Sequence, residues 1–307
     1  MNILTRKTTE GGAKHSSLRF SQSMSEGTPP GVFVVYVAVT VLVILLCVCV
    51  GSVNVPPGEA LRILFGGAAE SASYYSIVHV VRLPRVLCVA LTGASLSLCG
   101  AAMQGLLKNP LADGSTLGVS SGASLGAVTA LAFNITFPAL PFAGTMVMAI
   151  LFAFLSLVII MSLAYKFDNS LSTNTIILIG IIFSMFANAV LSLIITFAHD
   201  KLRSITFWTM GSLAGSSYTN ALVLSVVGLT GSCIILSRAR ELNAFAIGED
   251  NARNIGVNIK AVRISILVTV SALIGVCVSI GGTIAFVGLV APHIIRILTG
   301  PSHRDRK

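Results

Sequence analysis

The residues most able to do chemistry are placed so that none of them can act together. The six cysteines, Cys47, Cys49, Cys88, Cys99, Cys233 and Cys277, all sit inside apolar stretches. They have neither the paired spacing of a zinc site nor the loop placement of a disulfide framework, and read as small apolar fillers of lipid-embedded helices. The histidines (His15, His79, His199, His293 and His303) are scattered, with no pair at helical spacing to hold a metal. No nucleophile stands with a base. No Gly-x-x-x-x-Gly-Lys-Ser/Thr phosphate loop occurs, and there is no Gly-Lys dipeptide at all, so the chain is not itself an ATPase. The expectation is therefore no catalytic, cofactor-binding or metal-ligating residue in this chain.

Polar chemistry is concentrated in a few other places. The stretch from Ser237 to Arg263 carries Arg238, Arg240, Glu241, Glu249, Asp250, Arg253, Lys260 and Arg263, interrupted by Gly248 and Gly256. That pattern predicts two short helices joined at glycine on a membrane surface. Arg82 and Arg85 offer guanidinium groups suited to bidentate carboxylate recognition, or to anchoring a helix at the headgroup layer. Gly114, Gly118, Gly122 and Gly126 recur every four residues, which removes bulk from one helix face and lets another backbone approach. Lining a pore is the other reading of that face.

The elements that position these residues are membrane spans. Apolar residues make up 54% of the chain and charged residues 10%, against about a quarter charged in an ordinary soluble domain. Eight apolar runs are predicted to be helices: Val32–Val50, Val86–Leu107, Gly114–Phe133, Leu140–Ala164, Thr175–Ala198, Ala221–Leu236, Ile264–Ile280 and Thr283–Leu298. Ahead of them lies a polar segment, residues 1–31, expected to be cytoplasmic and disordered. The membrane domain takes 32–307, and its charged inner loop about 237–263. With the N-terminus inside, the inner segments hold 15 Lys and Arg and the outer segments 5, so both termini are expected in the cytoplasm. The net charge of +9 sits at the ends of apolar runs without interleaved aromatics, which argues against nucleic acid as a partner.

Several blocks, in order, resemble the FecCD-type permeases of ABC importers for iron-siderophores, haem and cobalamin. They are Arg82-Leu83-Pro84-Arg85; Gly93 to Gly100, Gln104-Gly105, Asn109 to Asp113 and Leu117 to Ala123; Trp208 to Leu213; Leu242-Asn243-Ala244 with Gly248 to Val257; and Phe286 to His293, closing with Gly300-Pro301-Ser302-His303-Arg304. The resemblance spans roughly Val32 to Arg304. It implies an all-α, polytopic helix bundle with about eight of a family-typical ten spans, in the inner membrane. It also implies a second permease subunit (the same chain or a different one), two cytoplasmic ATPases that bind Mg-ATP, and an external substrate-binding protein. Gly248, Glu249, Asp250, Ala252, Arg253 and Gly256 then resemble an ATPase-coupling loop, and Arg82 and Arg85 a docking point for the binding protein.

In the same family the fifth span lines the pathway, which marks Asn188, Ser192 and Thr196, a polar strip at four-residue spacing. Helix–helix hydrogen bonding is the other reading of that strip. The expected cargo is a metal chelate, iron-siderophore first and haem or cobalamin second. Because the chain stops at Lys307, two family helices are expected to be missing, and a nonfunctional remnant is one alternative. A secondary transporter is another, but it would need ionisable residues within the spans, and these are almost free of them.

Overall fold

The computed structural model describes residues 30–114, 117–136 and 143–299. Most of the polar N-terminal segment, Leu140 and the closing Gly300–Arg304 block lie outside them. No strand occurs among the described residues. A backbone facing lipid must satisfy its polar groups internally, so even runs rich in Val and Ile become helices. In chain order these are α1 (Pro30–Cys49), α2 (Pro57–Leu64), α3 (Ala72–Ser76), α4 (Leu83–Leu107), α5 (Val119–Ala132), α6 (Ala143–Phe167) and α7 (Thr173–Phe197). Then follow α8 (Leu202–Thr209), α9 (Tyr218–Ser237), α10 (Ala239–Ile247), α11 (Glu249–Asn254), α12 (Ile259–Gly281) and α13 (Val287–Thr299).

Among the described residues, six helical segments are long and apolar enough to cross a bilayer: Gly31–Cys49, Ala72–Leu107, Gly144–Phe167, Thr173–Phe197, Tyr218–Ser237 and Ile259–Gly281. The other two predicted spans are short. α5 has 14 residues and α13 has 13, giving each about 20 Å of length against about 30 Å of hydrocarbon. The sequence started these spans at Gly114 and Thr283, and the backbone delays both. Gly118 (φ 75°) caps the start of α5, while Gly282 (φ 71°) and Phe286 (φ 66°) precede α13. Gly114 and Gly118 therefore stand ahead of the helix rather than on its face.

The second correction concerns Arg82-Leu83-Pro84-Arg85, expected just before a span. It lies inside a continuous helix of 36 residues. Residues Ile77–Arg82 form a π-helical turn between α3 and α4, and the Leu83 amide donates to the Val78 carbonyl. That extra residue per turn shifts the hydrogen-bond register and places Pro84, which has no amide to donate, at the first turn of α4.

α12 is the central helix. Most of it is buried, while α1 is almost wholly exposed, and α12 packs against α4, α5, α6 and α9. Two close crossings lock the bundle. A Cβ on Gly122 or Gly126 would collide with α6 at Phe152, Ser156 or Met148. A Cβ on Gly100 of α4 would overlap the Gly288 carbonyl of α13. A smaller core of Val48, Val55, Ala60, Ile63 and Val78 joins the end of α1 to α2 and the π-helical turn. There the buried carboxylate of Glu59 accepts the Glu70 amide at 2.6 Å.

Candidate functional site

At the end of the bundle carrying most of the basic residues, the charged stretch folds as α10 and α11, joined at Gly248 (φ 130°, ψ 146°), a backbone region open to glycine. Gly256 (φ 90°) ends α11. Its amide donates to the Arg253 carbonyl and the Val257 amide to that of Ala252, both at 3.0 Å, the paired bonds of a Schellman motif. Phe245 and Ala252 are fully buried and fasten the helix pair to the bundle. Arg240, Arg253 and Ile255 stay exposed. The side chain of Asp250 lies outside what the structure describes.

Glu249 does not join that exposed face. Its carboxylate lies 2.7 Å from Nη2 of Arg263, in the first turns of α12. Arg263 is fully buried. Its Nη1 donates to the carbonyl oxygens of Ser170 (3.3 Å) and Leu171, in the connection between α6 and α7. That connection is organised by Asp168. Its carboxylate accepts from the Ser170 amide (2.8 Å) and hydroxyl (2.6 Å), the Ser172 amide (3.0 Å) and the Thr175 hydroxyl (3.3 Å). The Ser170 and Ser172 side of this network, foremost the Ser170 hydroxyl, holds the Asp168 carboxyl well below the usual carboxylate range.

At the opposite end, Arg82 departs from the docking role expected for it. It is buried, and its guanidinium donates to the carbonyls of Val48 (2.9 Å), Cys49 (2.7 Å) and Val53. The Val48 and Cys49 carbonyls end α1, where helices leave acceptors unpaired, and Val53 follows it, so Arg82 works as a C-terminal cap. Arg85 is exposed. Both arginines border a cavity of about 500 Å³ whose other lining residues include Cys47, Val53, Ile77 and Val89.

Asn188, Ser192 and Thr196 share one exposed strip of α7, and the Thr196 hydroxyl donates to the Ser192 carbonyl at 2.8 Å. Asn188 also borders a cavity of about 210 Å³, lined by Asp113, Gly114, Ser121 and Ser124 on one side and by Thr283, Ala285 and Gly288 on another. Gly114 reaches Ile274, eleven residues and so about 16 Å along α12 from Arg263. The non-helical backbone on either side of this cavity therefore lies at membrane depth, where it survives only if buried in protein or beside water.

Sequence reasoning missed two further residues. Arg263 was counted only as an inner basic residue, although a charge in an otherwise apolar span is itself a signal. Gln104, buried near the end of α4, accepts from Arg296 and donates to the Leu289 carbonyl at 3.4 Å. It sits in a matched block, and nothing local marked its partners.

A bundle with six helical segments among the described residues long and apolar enough to cross a bilayer defines a multi-pass membrane protein. The chain belongs to the FecCD transport family, which it matches over residues 39–306. An uncharacterized ABC transporter permease protein of Bacillus subtilis, YvrB, is 38% identical over 275 residues, 88% of this chain and 77% of that protein. The iron(3+)-hydroxamate import permease FhuB of the same organism is 32% identical over 310 residues, 98% of this chain and 79% of its own length. Other matching relatives are named for cobalamin, hemin and molybdate import. A solved structure, described as an inward-facing conformation of a metal-chelate type ABC transporter, superposes with a TM-score of 0.78 at 29% identity. The match covers 90% of this chain and 84% of that one.

Proposed function

We propose that this chain is the permease subunit of an ATP-driven importer that carries a ferric siderophore across the inner membrane. The observation behind this reading is the exposed charged pair of helices α10–α11, which forms a compact docking element on a chain that has no phosphate-binding loop of its own. The partner ATPases, holding Mg-ATP, bind there, so this end and both termini face the cytoplasm. Arg85 faces the external binding protein, while Arg82 holds α1 in place.

The cargo crosses between two permease subunits. The cavity beside Asn188 is about 210 Å³, below the roughly 300–1,000 Å³ of ordinary ligand pockets, so a chelate does not fit within that cavity. The exposed polar strip Asn188, Ser192 and Thr196 faces outward, where a second subunit completes a wide passage. Iron-siderophore is placed first because a hydroxamate permease aligns with 98% of this chain, while relatives named for cobalamin, hemin and molybdate import match at 33–36% identity.

The test is uptake into proteoliposomes holding this chain, its ATPase and the binding protein. ATP-dependent accumulation of a ferric hydroxamate is expected. Uptake driven by an ion gradient without ATP would overturn the importer reading. ATP-dependent uptake of cobalamin, haemin or molybdate alone would overturn only the cargo.

A further inference from the structure

We propose that Arg263 is a positioning residue that ties the ATPase-docking helices to the α6–α7 connection, so that movement of α11 is passed to the pathway helix α7. The proposal rests on the docking reading above.

The first ground is how the guanidinium is held. Arg263 is fully buried, and a desolvated cation is tolerated only where its bonds are directed and compensated. Its acceptors come from two segments far apart in the chain. The Ser170 and Leu171 carbonyls precede it by about ninety residues, and Glu249 by fourteen. One side chain thus spans two elements that lie far apart in the chain.

The second ground is that both attachment points are stiff. Glu249 is the first residue of α11, and the α10–α11 pair is pinned by fully buried Phe245 and Ala252. On the other side, Asp168 gathers Ser170, Ser172 and Thr175 into one hydrogen-bonded unit. Leu171, buried within that unit, adopts φ 54°, a conformation a leucine keeps only where its surroundings impose it. Ser172 and Thr175 belong to the start of α7, the helix that carries Asn188, Ser192 and Thr196. A displacement of α11 therefore reaches α7 through one guanidinium and a rigid turn. Lys260 adds a brace, its ammonium 5.2 Å from the Tyr165 ring, which holds the start of α12 against the end of α6.

The third ground is direction. Arg240, Arg253 and Ile255 remain exposed for the ATPase, whereas Glu249 bonds to the buried Arg263. The same short helix thus has one side for the partner and one for the bundle.

The test uses the full chain with its ATPase and binding protein in proteoliposomes, comparing Arg263→Met, Arg263→Lys and Glu249→Gln. The expected result is that Arg263→Met and Arg263→Lys, changed at a buried position outside the docking face, retain the ATPase and its basal hydrolysis. Uptake per ATP hydrolysed falls about tenfold in Arg263→Met and Glu249→Gln, and less in Arg263→Lys. Hydrogen exchange over residues 168–175 slows on ATPase binding in the unmodified chain and does not respond in Arg263→Met. A purely structural pair would lower the yield of folded protein and leave uptake per ATP unchanged, which would overturn the proposal. Should Arg263→Met fail to fold, Glu249→Gln, changed at a partly exposed position, decides the matter in the same way. Should the unmodified chain fail to hold the ATPase, the docking reading falls. The tie is then judged in the isolated chain, where unchanged exchange over 168–175 in Glu249→Gln overturns it.

Discussion

The guanidinium of Arg82 lies 2.7 Å from the carbonyl oxygen of Cys49, thirty-three residues earlier in the chain. An arginine inside the 36-residue helix thus closes the open end of α1, a helix otherwise almost wholly exposed. The pairing shows why α1 stays on the bundle: its attachment is polar and terminal, at the end where the small core of Val48, Val55 and Ile63 gathers.

Replacing Arg82 with Met is expected to leave buried carbonyls without donors and to cost about 1–3 kcal/mol. Thermal unfolding in detergent should show the loss, and protease sensitivity should rise at residues 50–56. Arg85→Ala, changed at an exposed position, should leave unfolding unaltered and weaken capture of the binding protein. Equal effects of the two substitutions on unfolding would contradict this division.

The α4–α13 crossing has no space for a side chain at Gly100. Gly100→Ala is expected to destabilise the bundle by about 1–3 kcal/mol through overpacking. Gly93→Ala on the same helix, where a Cβ meets nothing within 4 Å, should be close to neutral. The pair is read from melting curves of purified protein.

Asp168 gives the α6–α7 connection a pH dependence. Its folded-state pKa is depressed by the Ser170 and Ser172 hydrogen bonds, so its contribution to stability is present above the unfolded carboxyl value of about 3.9 and is lost as pH falls below it. Exchange over residues 168–175 should be insensitive to pH-driven loosening between about pH 5 and 7 and should accelerate below about pH 4, after correction for intrinsic rates. Asp168→Asn should remove that acid-induced step.

Much of this arrangement is legible in the residues. The apolar runs marked every long helix, and Gly248 between two charged stretches marked the α10–α11 corner, because glycine is the residue that tolerates its backbone. The starts of α5 and α13 were misplaced because small and apolar residues lead into both helices, while the backbone at Gly114, Leu117 and Gly118 and through Thr283–Phe286 is not helical. Hydropathy does not register that difference. The partners of Arg82 and Arg263 were not legible for one shared reason. Their partners include backbone carbonyls of Val48, Cys49, Ser170 and Leu171, and a carbonyl has no signature in the sequence.

The most direct test of the permease assignment is co-purification of the partner ATPase with this chain in detergent, set against Arg253→Glu on the exposed side of α11. Retention of the ATPase by the unmodified chain, and its release by the charge reversal with melting unchanged, is the predicted result. Failure of the unmodified chain to hold the ATPase, or equal retention by the variant, would contradict the assignment of α10–α11 as the docking element.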